Sequence, residues 1–216
     1  MEALLRAAEH HMARHGIEGA DLKAIQIDAG QRNKSAVNYH FGGRDGLVEA
    51  IGIWHRGPID ARRSELLDRL EAAGTTDVAD LAGAMVEPIS ECLAEESGRR
   101  YVIILAEAMA RYGSDLLVDA ADVPHVESTR RLNRMLVDEL GGSAAARRRV
   151  GHAQLVTITL LADTARGVES GQRSVRHARR RSRELVGLVA ALLTAPLPDP
   201  RRPPNPDPPG RPFAQR

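Results

Sequence analysis

A chain of 216 residues with 43% hydrophobic side chains is long enough to bury one sizeable core or two small ones, and should fold alone or as a dimer. Its 30 Lys and Arg stand against 29 Asp and Glu, a formal charge of +1, so a global polycation is excluded and any affinity for nucleic acid must come from a local patch. The single cysteine, Cys92, excludes an internal disulfide, and no N-terminal apolar run has signal-peptide or membrane-span length, so the expectation is a reducing cytoplasm with no membrane partner.

Alanine, leucine and arginine dominate, and period-two alternation is confined to short runs such as Tyr101 to Leu105, which predicts an all-α chain. Leu4, Leu5, Ala8 and Met12 share a helical face, and Gly16 closes that first helix after about four turns. Leu22, Ile25 and Ala29 make a second helix that Asp21 can cap and Gly30 ends, because only glycine enters the left-handed position without a Cβ clash. Asn33 is a cap for a third helix beginning at Lys34. In it Val37 and Phe41 lie four residues apart and pack inward, while small Ala36 permits a close neighbour. The opposite face carries Lys34, Ser35 and Asn38, with Tyr39 and His40 at its flank. These are the side chains a major groove calls for: an amide that pairs with adenine, a hydroxyl, and a cation for guanine or phosphate. Gly42 and Gly43 stop the helix. Arg44 opens the next one, so a cation and free backbone N–H groups coincide there, a phosphate site in prospect. From Arg32 to Arg44 there is no carboxylate, although residues 1–45 hold six basic and six acidic side chains.

The stretch from Ala29 to Ile51 resembles the tetracycline-repressor-like (TetR) family of bacterial regulators. Ala29-Gly30 match the family's helix end, Tyr39-His40-Phe41 the close of its recognition helix, and Arg44 the basic residue that opens its fourth helix. The resemblance covers about the first quarter of the chain. It implies that Tyr39, His40 and Arg44 hold phosphates while Lys34, Ser35 and Asn38 face bases, with Arg32 completing the DNA-binding set. It further implies a homodimer on a palindromic double-stranded operator, and a small-molecule effector held among helices four to eight. Three differences from the family stand out. The turn Gln31-Arg32-Asn33 is one residue longer, Ala20 replaces a capping hydroxyl, and Gln26 replaces a small alanine and needs a hydrogen-bond partner if buried.

Beyond this head, an apolar pattern runs through Leu47, Ile51, Trp54, Ile59, Leu66 and Leu70, and a break is expected at Gly57-Pro58. Gly74 to Asp77 is a second break, with Thr76 or Asp77 as cap. A fifth helix through Leu81, Met85, Ile89 and Leu93 contains Pro88 and is expected to stop at Ser97-Gly98. A sixth spans Tyr101 to Tyr112 and ends at Gly113. Asp122-Val123-Pro124 introduces a seventh through Val126, Leu132, Leu136 and Leu140, and two long helices follow, about Ala144 to Glu169 and Ser174 to Thr194. Leu155, Ile158, Leu161 and Ala165 on one, with Leu185, Leu188, Leu192, Gly187 and Ala191 on the other, are expected to pair between chains. In the family this pair builds the four-helix dimer interface. The last twenty residues hold most of the prolines and are expected to be a disordered or polyproline tail. The organisation is thus a helix-turn-helix head over residues 1–45, a larger helical ligand-binding and dimerisation domain over 46–195, and the tail 196–216.

Rival chemistries fare worse. His11 and His15 have a metal-compatible spacing without a third ligand, and the arginine runs 147–149 and 173–183 read as solvated helix faces. No glycine-flanked nucleophile or phosphate-cradling glycine loop occurs, so neither an enzyme nor a cofactor is expected. Trp54, Cys92, Glu107, Met109, Arg111, Thr157 and Asp163 are candidates for cavity lining, though each also reads as core or surface. The expected function is a ligand-responsive transcriptional repressor. The alternative is a helical protein-interaction module without specific DNA binding.

Overall fold

The central helix is α6 (Glu96–Tyr112), whose residues Tyr101, Val102, Ile103, Ile104, Ala108 and Met109 are all buried. The turn Tyr101 to Ile104, buried on every side, must be enclosed by other helices. α1 (Glu2–His15) and α4 (Arg44–Ala73) pack on it from the N-terminal half of the chain, and α8 (Ala144–Glu169) from the C-terminal half. α5 (Val78–Glu91) and α9 (Val175–Thr194) lie against each other, and α7 (Glu127–Glu139) bridges α4, α5 and α8. The short helices α2 (Leu22–Asp28) and α3 (Ala36–Phe41) complete a head with α1 and the start of α4. The computed structural model describes residues 1–31, 36–74, 77–112 and 124–196; among these there are nine α-helices and no strand, so the chain is all-α, and the run Tyr101–Leu105 is helical. No helix of the described residues is long and apolar enough to cross a membrane.

Several ends follow local chemistry. The Asp21 carboxylate accepts from Lys23 N–H and starts α2, and the Asp77, Ser143 and Ser174 side chains cap α5, α8 and α9 in the same way. At the end of α2, Gly30 has φ 68° while Gly30 N–H donates to Ile27 C=O and Gln31 N–H to Gln26 C=O. That doubly bonded left-handed stop is the role expected of this glycine. The expected cap Asn33, the alternative cap Thr76, Gly113, Asp122-Val123 and the tail from 197 onward lie outside the described residues.

One expected break is absent and another is displaced. α4 runs through Gly57-Pro58 without interruption, because Pro58 lies on the exposed side and Gly57 offers no Cβ to clash with its ring. The break after α5 comes earlier than Ser97-Gly98: α5 ends at Glu91, a 3-10 turn spans Cys92–Ala94, and α6 already begins at Glu96. Gly98 is the reason this tight re-entry is possible, since a Cβ there would stand 2.2 Å from the Cys92 carbonyl oxygen.

The apolar face of α1 belongs to the same core as α6, and Met12 is fully buried in it. Met12→Ala should cost about 2–5 kcal/mol of stability, as large-to-small substitutions at closed sites do; a shift of the urea midpoint at unchanged slope measures it.

Candidate functional site

Two regions gather polar groups that the core does not require. In the head, α3 turns Val37 inward, 1% exposed, while Asn38, Tyr39 and His40 are exposed, Tyr39 to 82%. Phe41 is half-buried, one turn after Val37 on the same face. Gly42 and Gly43, both at positive φ, end α3 and lead into α4, whose first turn has no side-chain cap. Arg32, Lys34 and Ser35 lie outside the described residues. Tyr39 and His40 pack edge to face at 5.1 Å, so an aromatic edge and an imidazole occupy one side of the exposed face, with Asn38 beside them.

Arg44 has a task within the protein. Its Nη1 donates to the Ile17 and Ala20 carbonyls, the latter at 2.8 Å, and its Nε lies 3.7 Å from the Glu18 carboxylate. The loop it braces is held from the other side by α6, where Glu107 Oε1 accepts from Ile17 N–H at 2.7 Å and Arg111 pairs with Glu18. Asp45 is 3.9 Å from the same Arg111. The α1–α2 loop, the start of α4 and the end of α6 are therefore joined by charge-assisted bonds. His11 adds a link from α1 to α2, 2.7 Å from Asp28.

The second region is a cavity between α4, α5, α6, α7 and α8. Ile59, Met85, Ile89, Leu105, Leu132 and Ile158 supply its apolar wall, and Arg56, Arg63, Tyr101, His125, Thr129, Gln154 and Thr157 its polar groups. Its volume is about 50 Å3, space for roughly four water-sized spheres. Of the lining expected from the sequence, only Thr157 is there. Met109 is core, Trp54 lies under the Arg6 guanidinium, Cys92 is half-buried with its thiol pushed up to about 11 by burial, and Asp163 pairs with Arg173 and Arg181. Glu107 and Arg111 hold the head instead.

Arg63 explains why polar groups are tolerated inside. Pro88 has no N–H for the Ala84 carbonyl four residues earlier, and Arg63 Nε donates to that oxygen at 3.1 Å. Its Nη1 donates to Thr129 Oγ1 at 2.8 Å and reaches Ser128 Oγ at 3.5 Å. Ser128 in turn donates through both N–H and Oγ to Asp60, which caps α7 from a neighbouring helix. No carboxylate of the described residues lies within ion-pair distance of Arg63, and burial lowers its guanidinium to about 10, an effect that Asp60 only partly offsets. It is still a cation at neutral pH. Two further atoms facing this region have no partner among the described residues: Arg56 Nε and Gln154 Oε1. Gln154 Nε2 donates to Asn133 Oδ1 at 2.7 Å, and exchanging O and N in both amides preserves that bond while still leaving one Gln154 atom unsatisfied.

The sequence held a signal for these residues. Positions 47, 51, 55, 59, 63 and 67 of α4 form one i, i+4 row, Leu-Ile-His-Ile-Arg-Leu, in which His55 and Arg63 interrupt an apolar face. Arg63 opens onto the cavity. His55 meets a carboxylate that periodicity also missed: Glu9 is 1% exposed, with Oε1 2.5 Å from His55 Nε2 and Oε2 accepting from Ser97 Oγ at 2.6 Å. One imidazole nitrogen faces both Glu9 and Ser97, so the group lacks the relay order of a nucleophilic triad; it ties α1, α4 and α6 together.

The long C-terminal helices also divide differently from the expected stripes. Ile158, Leu161, Ala165 and Leu185 are buried within the chain's own core, because α8 packs on α6 and α9 on α5. Leu155 at 40% and Leu188 at 51% remain exposed, with Gly187 and Ala191 on the outward side of α9. No family model matches this chain, and no curated protein matches it.

The Pro88–Arg63 relation makes a sharp expectation. Arg63→Met orphans the Ala84 carbonyl when Pro88 is present, whereas Pro88→Ala restores a helical N–H to it. A double-mutant cycle by urea unfolding should therefore give a coupling of about 1–3 kcal/mol, the cost of one unsatisfied buried group. A coupling near zero would remove this account of the buried arginine.

Proposed function

We propose that the protein is a homodimeric, ligand-responsive transcriptional regulator of the TetR type, a repressor that binds palindromic operator DNA through α3. The observation that carries the reading is the division of α3, with Val37 wholly buried and Asn38, Tyr39 and His40 exposed on a helix whose neighbours are braced by part-buried charge-assisted bonds. A short helix held this firmly can insert into a groove without losing order on binding. Asn38 is the base reader, and Tyr39 and His40 contact phosphate, with Arg32, Lys34 and Ser35 completing the face. Arg44 acts mainly as the brace of the α1–α2 loop and puts the uncapped start of α4 beside the DNA backbone.

Ligand response follows from connectivity. Tyr101 and Leu105 line the cavity, and Glu107 and Arg111, on the next turn and a half of the same helix, hold the head. An occupant that favours one position of α6 shifts the spacing of the two heads and so the affinity for operator. Dimerisation uses the outward side of α8 and α9 around Leu155 and Leu188.

In salt titrations, Asn38→Ala should leave the slope of log affinity against log salt nearly unchanged while reducing the preference for operator over random duplex by about 1–3 kcal/mol per half-site. Equal binding of both duplexes by the unaltered protein would favour the interaction-module reading instead. Leu188→Arg should raise the dimer dissociation constant at least about tenfold, since a charge enters an apolar contact. Sedimentation equilibrium reads this directly, and a wild-type monomer at micromolar concentration would refute the interface.

A further inference from the structure

We propose that the interior cavity binds a small organic monocarboxylate, with its carboxylate on the Arg63 guanidinium and its hydrocarbon part against Ile59, Met85 and Leu132. The proposal deepens the ligand-responsive reading above and rests on it.

Charge sets the sign of the ligand. Among the described residues the polar lining holds a histidine, Arg63 and Arg56, the last already paired with Glu49 at 2.6 Å, and no Asp or Glu, so a cation would meet Arg63 with no carboxylate to receive it. Arg63 is only 5% exposed and directs Nε and Nη1 to Ala84, Thr129 and Ser128, a geometry that keeps the planar fork from rotating. The nearest formal counter-charge, Asp60, reaches it only through Ser128. A buried cation so held, with its charged form disfavoured by desolvation, gains from an anion that comes to it. The apolar wall then decides between anions. A phosphate dianion would bring more charge than the site offsets, against aliphatic side chains on most sides, whereas a monocarboxylate matches one guanidinium in charge and in planar geometry.

Two features support a resident polar ligand. Arg56 Nε and one Gln154 amide atom are buried without partners among the described residues, and native interiors seldom leave such atoms unsatisfied. His125, also in the lining, has φ 58°, a left-handed conformation that costs energy in a non-glycine residue and that clusters at ligand sites. The volume of about 50 Å3 limits the occupant to a few heavy atoms in the conformation described.

The test uses full-length protein and calorimetric titration at pH 7 with acetate, acetamide and acetamidinium, three planar ligands of four heavy atoms with matched shape and different charge. Acetate should bind about ten- to a hundredfold more tightly than the amide, the value of one hydrogen bond to a charged group, and acetamidinium more weakly still. Arg63→Met should erase the difference between acetate and acetamide. Should that variant fail to fold, the order of the three ligands on the unaltered protein decides alone. Equal affinity for acetate and acetamide, a preference for acetamidinium, or no acetate binding at millimolar concentration overturns the proposal. The same preparation is assayed for operator binding. Acetate binding without operator binding leaves the cavity chemistry standing and removes the regulator; operator binding without acetate binding does the reverse.

Discussion

The bond from Arg63 Nε to the Ala84 carbonyl organises the middle of the molecule. Proline inside α5 creates an unsatisfied acceptor in a buried position, and a backbone carbonyl left so would cost about 1–3 kcal/mol. The remedy is a guanidinium from α4, long enough to cross the gap and with donors to spare. Its burial then imposes its own requirements. Thr129 and Ser128 must stand where they accept from its Nη1, Asp60 must hold Ser128, and α7 is thereby fixed at its first turn. The cavity lies beside this cluster, with Arg63 and Thr129 in its wall.

A second polar knot ties head to body. Glu107, Arg111, Glu18 and Arg44 connect the loop after α1 to α6 and α4, and Glu9 with His55 and Ser97 repeats the connection one level deeper. Both knots lie at helix ends or at crossings where three elements meet. Apolar contacts there would permit sliding by a turn, whereas hydrogen bonds between charged groups fix one register. The head is thus joined to α6 at several points, and the same helix walls the cavity through Tyr101 and Leu105.

The C-terminal helices show which of their apolar residues the fold takes for itself. Periodicity alone marks Ile158, Leu161 and Leu185 as an apolar face, and the protomer takes them into its own core. What stays exposed is narrower, centred on Leu155 and Leu188, with Gly187 and Ala191 on the outward side of α9.

By itself the sequence determined that the chain is helical, that Gly16, Gly30 and Gly42-Gly43 end helices, that Asp21 begins one and Thr76 or Asp77 another, and that Val37 turns inward while Asn38 to His40 do not. These are local matters, settled by periodicity, capping and positive φ within a few residues. Only the tertiary structure decided what depends on partners distant in the chain. It carried α4 through Pro58 because that side faces water, and began α6 at Glu96 because Gly98 fits under Cys92. It drew Arg44 into the α1–α2 loop and assembled the cavity from Arg56, Arg63, His125 and Gln154 rather than from Trp54, Met109 or Asp163. Arg63 was visible as a charge on an apolar row, but its purpose was not: the acceptor it satisfies is created by a proline 25 positions away, and only folding brings the two together.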